Sequence, residues 1–231
     1  MPRFGVINER RHQLHEVIRL SGMNLIVNDY DHPLIIKVAS IPQIRIQVYF
    51  IDNEEYFKKK FIFKGSDGKY FKDNDERSMF FCRGVLETVK KLGWMPDIVH
   101  CHGWMTALMP VYLKSVYKND PHFSNAKIIY AHYKQDEKLK FSKDLPTKLD
   151  FDELPTGDLN LDGLADVNKL HEIGIQWSDA VSHGSPEVDE SLLELIKKTD
   201  KSVLEYHDEE QTVEAHQNFY DKVLSENGVL V

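Results

Sequence analysis

Alternating hydrophobic and polar positions near the start of the chain predict β-structure. The stretch PLIIKVASIPQIRIQVYFID contains two runs rich in β-branched residues, separated at residues 41–43. The second run has apolar residues at every other position, which places them on one face of a strand: Ile44, Ile46, Val48 and Phe50. We therefore predict a hairpin or a pair of neighbouring strands.

Helical spacing replaces this alternation further along the chain. Apolar residues recur there at steps of three and four: Met79, Cys82, Val85, Leu86, Val89 and Leu92. Asp73 and Glu76 have the spacing of a capping box at the start of a helix. The pattern predicts a helix over residues 74–92.

Short apolar strands alternate with amphipathic helices over most of the remaining sequence. DIVHCH, AKIIYAH and SDAVSHGS have the length and composition of buried strands. Helices are predicted over residues 104–117, where Pro110 should kink the helix or limit its first turns, over DVNKLHEIGIQW, and from Ser185-Pro186-Glu187 onward. This order predicts an α/β fold with a mainly parallel sheet and helices on both faces.

Histidines occur where the predicted strands end. His102, His132 and His183 lie at the ends of three strands, and His100 shares a strand face with His102. Ligands of open parallel sheets bind beyond the carboxyl ends of the strands, so these histidines are candidate site residues. The alternative is that they are hydrogen-bonded packing residues, as histidines at strand ends often are.

A metal site is not predicted in this histidine-rich stretch. His100, Cys101 and His102 are possible ligands, but consecutive strand residues point to opposite faces and cannot easily converge on one ion. The tryptophans 94, 104 and 177 are most simply core or helix-packing residues.

The composition of the chain argues against nucleic acids and membranes as partners. The 231 residues include 37 acidic and 29 basic side chains, a net charge of -8, and the basic ones are not clustered, which argues against nucleic acid. The sequence lacks the roughly 18 to 20 consecutive apolar residues of a membrane span and the apolar region of a secretory signal. Two cysteines, Cys82 and Cys101, are too few for a disulfide framework. We therefore expect a cytoplasmic protein.

Several separated motifs resemble the bacterial-type glycogen and starch synthase family. DNDERSMFFCRGVLETVKKLGWMPDIVHCHGWMTALMPVYLK is similar to a family helix followed by PDIVHAHDWHT and an apolar segment. MPRFG resembles the end of an earlier strand, and GIQWSDAVSHGSP resembles GIxYADxVxTVSP. These motifs occur in the family's order and cover about residues 1–195.

The resemblance implies a fold and a reaction. The fold is the first, Rossmann-like half of a GT-B glycosyltransferase, and the reaction moves glucose from ADP-glucose to the non-reducing end of an α-1,4-glucan, without a metal or other cofactor. The implied partners are an α-glucan or maltooligosaccharide, bound weakly, and a second domain or polypeptide that completes the fold. The implied catalytic residue is His132, and the implied substrate-binding residues are His100, His102, Trp104, Asp73, Asn74 and Ser185.

The chain also departs from the family pattern. Gly103 replaces an aspartate, Met105 replaces a histidine, and Tyr133 follows His132 where the family has asparagine. His183 replaces a threonine. The family's glycine-rich loop is expected upstream of Met1, and the arginine, lysine and glutamate of its donor clamp belong to a second domain outside these residues. Because the departing diphosphate needs such positive groups, we expect this chain alone to be inactive.

Two domains are predicted from these observations. Residues 1–196 form the Rossmann-like acceptor-side domain, lacking its first strand and helix, and residues 197–231 form an acidic helical tail. The long polar segment 133–166 is expected to be a functional or disordered loop. Its lysines are expected to be solvated: Lys134, Lys138, Lys140, Lys143 and Lys148.

Three functional hypotheses remain open. The chain is part of a glycogen or starch synthase-like glucosyltransferase, or a non-catalytic descendant that binds a glucan or a partner protein. The third hypothesis is a structural α/β domain whose site has decayed.

Overall fold

The chain forms two compact units, each built on its own four-stranded sheet. The computed structural model describes residues 1–134, 139, 141–159, 161 and 167–226. The first unit comprises Met1–Trp94 and Phe141–Asp152, and the second comprises Met95–Lys140 and Glu153–Val231.

The strands and helices follow one another in mixed order along the chain. The strands are β1 (His15–Glu16), β2 (Met23–Val27), β3 (Tyr30–Ile41), β4 (Ile46–Asp52), β5 (Ile98–His102), β6 (Lys127–His132), β7 (Ala180–His183) and β8 (Ser202–Leu204). The α-helices are α1 (Glu54–Phe57), α2 (Asn74–Leu92), α3 (Met109–Lys114), α4 (Leu145–Phe151), α5 (Val167–Trp177), α6 (Glu190–Lys197) and α7 (Thr212–Ser225). Short 3-10 helices cover Pro42–Ile44 and Trp104–Thr106.

The first unit is an antiparallel sheet packed against a long helix. β3 pairs with β1, β2 and β4, and its antiparallel pairing with β4 confirms the predicted hairpin. The strand β4 begins only at Ile46, because the chain turns through a 3-10 helix that includes Ile44. α2 packs against β2 and β4 and has the predicted bounds.

The predicted capping box of α2 is wrong. Asp73 precedes the helix but its side chain caps no backbone N–H, because its carboxylate is paired with Lys59. Glu76 instead accepts hydrogen bonds from Tyr56 and Asn28 and is paired with Lys148. Ion pairs and side-chain hydrogen bonds formed on folding have replaced the local cap.

The second unit contains the predicted parallel sheet. Its strands lie in the order β5-β6-β7-β8, and all three pairings are parallel. The strands that end at His102, His132 and His183 are therefore neighbours, as predicted. The sequence did not predict β8.

Helices cover both faces of this sheet. Gly174 of α5 lies against the ring of Tyr130, whereas Phe219 and Val223 of α7 form a hydrophobic cluster with Ile129 of the same strand. Since consecutive strand residues point to opposite faces, α5 and α7 lie on opposite sides. This arrangement confirms the predicted Rossmann-like α/β class.

Two predicted helix starts in this unit are wrong. The helix expected over residues 104–117 is a 3-10 turn followed by α3, because Pro110, which lacks an N–H, lies in the first turn of a new helix. Ser185 does not begin a helix either: α6 starts at Glu190, since the Ser185 hydroxyl donates to the carbonyl of Glu187.

Candidate functional site

The carboxyl ends of β5, β6 and β7 form one edge of the parallel sheet, here called the strand mouth. In the sheet register His102 lies opposite Ala131, while His132 lies opposite His183. Residues opposite one another in a parallel pair point to the same face, so the histidines divide between two faces. His100 and His102 lie on the side of α7, and His132 and His183 lie on the side of α5.

The α7-side pair consists of two stacked imidazoles. The ring centroids of His100 and His102 are 4.1 Å apart, which confirms that they share a strand face. His100 Nδ1 lies 2.8 Å from the hydroxyl of Tyr220, and its Nε2 lies 3.1 Å from the hydroxyl of Ser182. His102 Nδ1 lies 2.8 Å from the hydroxyl of Tyr133, and the His102 side chain is exposed.

Both imidazoles of this pair are neutral at neutral pH. Burial, together with the nearby rings of His102 and His216, lowers the pKa of His100 to about 3. The partial desolvation of the His102 ring, together with the nearby His216, also lowers the pKa of His102. A neutral imidazole offers one hydrogen-bond donor and one acceptor, which suits the hydroxyl groups of an uncharged ligand.

The α5-side group is formed by His132, His171 and His183. The centroid of the His132 ring lies 4.9 Å from that of His183 and 6.3 Å from that of His171. His132 is fully buried, and within the described residues neither of its ring nitrogens has a hydrogen-bond partner. Burial, with the neighbouring His183 and His171, lowers its pKa to about 3.

His183 connects the α5-side group to an exposed side chain. Its Nδ1 lies 3.0 Å from a carboxylate oxygen of Glu205, whose side chain is exposed. His171 Nδ1 lies 2.7 Å from the hydroxyl of Tyr130 in the interior. The implied catalytic residue, His132, is therefore shielded from solvent between two other imidazoles.

Tyr133 lies across the strand mouth and packs against a glycine. A Cβ atom added to Gly184 would come within 2.4 Å of ring atoms of Tyr133, closer than any non-bonded carbon pair can approach. Gly103, which has a φ of 72° and a ψ of 174°, is also close to this ring. The ring of Tyr133 can therefore occupy this position only because the residue directly after β7 is a glycine.

The other implied substrate-binding residues have different surroundings. Trp104 is only 3% exposed. The Ser185 hydroxyl accepts a hydrogen bond from the backbone N–H of Lys134. Asp73 and Asn74 belong to the first unit, where the Asn74 amide donates to the carbonyl of Phe63. The assignment of these residues to substrate binding stays a prediction.

Sequence reasoning missed four side chains that surround the α7-side pair. They are Tyr133, Ser182, His216 and Tyr220. Two of them come from α7, where His216 and Tyr220 are four residues apart and therefore share a helix face. That spacing was the available signal, but it lies in a segment interpreted as a tail.

The lysines of segment 133–166 are not all solvated. Lys148 is buried and contacts Asp75 at 2.9 Å and Glu76 at 2.7 Å, so the prediction of a solvated side chain is wrong for this residue. Lys134 is paired with Glu187. Lys138 and Lys140 lie outside the described residues.

The residues that the structure describes contain neither a cluster of metal-binding side chains nor a membrane-spanning helix. Within them, histidine, cysteine, aspartate and glutamate side chains form no group of three suited to a metal ion. None of the helices in the same ranges has the length and apolar character needed to cross a membrane. Cys82 and Cys101 are buried free thiols.

Comparison with protein families gives one extended match. The model of the starch synthase catalytic domain matches residues 1–202. The helix α7 lies beyond the matched residues.

Curated relatives are bacterial glycogen synthases. The chain is 36% identical over 199 residues to the glycogen synthase of Chlorobium phaeovibrioides, covering 83% of this chain and 39% of the relative. It is 44% identical over 130 residues to that of Chlorobium limicola, covering 56% of this chain and 27% of the relative. The chain therefore spans well under half the length of these relatives.

A solved structure has the same fold. The catalytic domain of starch synthase IV from Arabidopsis thaliana, bound to ADP and acarbose, superimposes with a TM-score of 0.63 at 18% identity. The match covers 96% of this chain and 42% of the plant protein.

Proposed function

The chain belongs to the starch synthase catalytic domain family, and on that premise we propose that it forms the acceptor side of a glucosyltransferase of the glycogen or starch synthase type. The strand mouth binds the non-reducing end of an α-1,4-glucan, to which glucose is transferred from ADP-glucose. Groups that bind the donor lie outside these 231 residues, in the same protein or in a second polypeptide. The proposed location is the cytoplasm, with no metal, nucleic acid or membrane as partner.

One observation carries the acceptor role. His102 is exposed at the strand mouth, where one ring nitrogen is hydrogen-bonded to Tyr133 and the other has no hydrogen-bond partner among the described residues. The adjacent ring of Tyr133 supplies the aromatic surface on which pyranose rings commonly pack, and hydroxyl groups surround both imidazoles. Neutral donors and acceptors beside an aromatic ring suit an uncharged saccharide better than a diphosphate.

A non-catalytic glucan-binding role is the second candidate, and the burial of His132 favours it. A catalytic side chain has to contact the reacting atoms, whereas His132 has no exposed surface. Glucan binding on the α7 side of the sheet does not require His132. The two candidate functions therefore share the binding site and differ only in whether glucose is transferred to the bound glucan.

We expect millimolar binding of maltoheptaose at the strand mouth. Titration followed by NMR should shift signals of His102 and Tyr133, and His102→Ala should weaken binding roughly fivefold, the effect of losing a neutral hydrogen bond worth about 1 kcal/mol. His122→Ala is the matched control, because this imidazole precedes β6 at the opposite end of the sheet, where it contacts Asp120. Equal affinity of His102→Ala and wild type, or shifts confined to the region of His122, would refute the proposed site.

A polypeptide of these 231 residues is expected neither to bind ADP-glucose tightly nor to extend maltoheptaose. Stabilising the departing diphosphate requires positive groups, whereas His100 and His102 are neutral imidazoles flanked by hydroxyls, and Lys134 is paired with Glu187. Incorporation of labelled glucose into glucan measures this directly. Turnover that exceeds a protein-free blank and survives repurification would contradict the expectation.

A further inference from the structure

Helix α7 lies outside the part of the chain that matches the family, yet it packs on the sheet beside the strand mouth. Phe219 and Val223, four residues apart, contact a cluster formed by Ile129, Ala180 and Leu204. These three residues come from β6, β7 and β8, so the helix crosses three strands. Burial of these apolar side chains fixes α7 on the face that carries His100 and His102.

The neighbouring face of α7 directs polar side chains at the histidine pair. The Tyr220 hydroxyl lies 2.8 Å from His100 Nδ1, and the His216 ring centroid lies 5.8 Å from that of His100. His216 Nδ1 donates to the backbone carbonyl of Thr212 at 2.7 Å. Since a carbonyl can only accept, this bond assigns the proton of a neutral His216 to Nδ1 and leaves Nε2 as an acceptor.

Both ring nitrogens of His100 are occupied inside the protein. Tyr220 contacts Nδ1 and Ser182 contacts Nε2, so His100 has no nitrogen left for a ligand. Its ring stacks on His102 at 4.1 Å with an interplanar angle of 35°. His100 is therefore placed to support His102, whose own Nδ1 is held by Tyr133.

We propose that Tyr220 is a positioning residue for the saccharide site, acting through His100 to hold the ring of His102 in its binding orientation. The proposal rests on the glucan-binding function argued above and extends the site to a helix that the family match does not include. The hydroxyl of Tyr220 fixes the rotation of His100, and the stacked His100 ring limits the rotation of His102. The hydroxyl of Tyr133 contacts Nδ1 of the same ring.

The opposite role for α7 would be that of a cover that keeps saccharide away from the histidines. The contacts favour positioning, because the residue that α7 holds directly is His100, whereas His102 remains exposed. The two roles predict opposite effects of removing the Tyr220 hydroxyl. Positioning predicts weaker saccharide binding, and a cover predicts tighter binding.

The test is Tyr220→Phe, which keeps the ring and removes only the hydroxyl. Tyr206→Phe is the matched control, since Tyr206 is an exposed tyrosine of the segment that precedes α7. In the ligand-free protein the imidazole nitrogen signals of His100 and His102 are expected to shift in Tyr220→Phe and to stay unchanged in the control. Maltoheptaose should then bind roughly fivefold more weakly to Tyr220→Phe, as expected for the loss of a hydrogen bond of about 1 kcal/mol.

The outcomes separate this proposal from the proposed function. Unchanged His102 signals in Tyr220→Phe, or tighter saccharide binding, would overturn the positioning role. If wild type binds no maltoheptaose while the imidazole signals still shift, the glucan-binding function fails and the support of His102 by Tyr220 stands. A fall in thermal stability alone, with unchanged imidazole signals, would make Tyr220 a packing residue.

Discussion

Acidification from pH 7 to pH 5 is expected to lower the free energy of unfolding by about 2 kcal/mol for each of two histidines, His100 and His132. Burial, followed by the neighbouring imidazoles, lowers the pKa of both rings from 6.5 to about 3. In the unfolded chain these imidazoles have their ordinary pKa. As the pH falls, the unfolded chain therefore takes up protons at a higher pH than the folded chain does. The stability contributed by the neutral rings is therefore complete above pH 6.5 and is lost as the pH falls toward 3.

Urea unfolding of wild type and His132→Gln at the two pH values measures this effect, because the glutamine amide cannot take up a proton. His12→Gln, which changes an exposed histidine, is the control. Burial raises the pKa of Asp75 and gives an opposite pH dependence, but this contribution is common to all variants and cancels in the comparison. His132→Gln should lose about 2 kcal/mol less than wild type on acidification. Equal losses would show that His132 accepts its proton without unfolding.

The strands β5, β6 and β7 of the second unit could be predicted because each is a short apolar run that ends in a histidine. The sequence also indicated correctly that His100 and His102 share a face, since strand periodicity is local. It could not indicate that His132 faces the other way. That outcome depends on the register between β5 and β6, which aligns His102 with Ala131, and register is decided by packing between strands that are distant in sequence.

Local capping signals failed where stronger tertiary partners were available. A cap contributes about 1 kcal/mol, whereas leaving a buried lysine without its carboxylate partner costs about 3 to 5 kcal/mol. Glu76, predicted to cap α2, instead contacts Lys148 from a segment 72 residues later in the same unit. No local pattern contains that partner, and composition had assigned Lys148 to a solvated surface.

The sequence predicted a helical segment after residue 197 but did not place it on the sheet, because its apolar residues are scattered among charges. The pairs Phe219 with Val223 and His216 with Tyr220 each have helical spacing, and together they describe one apolar and one polar stripe. Read alone, such a short amphipathic segment is compatible with a solvated tail. Its partners, the Ile129 face of the sheet and His100, become evident only once the parallel sheet has formed.

Replacing Gly184 by alanine is expected to destabilise the chain by about 3 kcal/mol, the upper part of the range for overpacking a filled site. The added methyl group would lie 2.4 Å from the Tyr133 ring, so the ring must move away from its present position. Movement of the ring would also break the hydrogen bond between Tyr133 and His102. Gly157→Ala should have little effect, because no atom of the described residues lies within 4 Å of a Cβ atom at that position.

A double-mutant cycle assigns this cost to the contact between the two residues. Without the Tyr133 ring, the space over Gly184 is empty. In the Tyr133→Ala background, Gly184→Ala should therefore destabilise the chain by less than about 1 kcal/mol. The difference from the cost in wild type is a coupling energy of about 2 kcal/mol between the two residues. Denaturant unfolding of the four proteins gives the coupling, and the His102 imidazole signals report the loss of the Tyr133 bond in both Tyr133→Ala and Gly184→Ala. Equal costs of Gly184→Ala in the two backgrounds would mean that the ring does not occupy the strand mouth, and Tyr133 could then neither hold His102 nor supply the aromatic surface of the saccharide site.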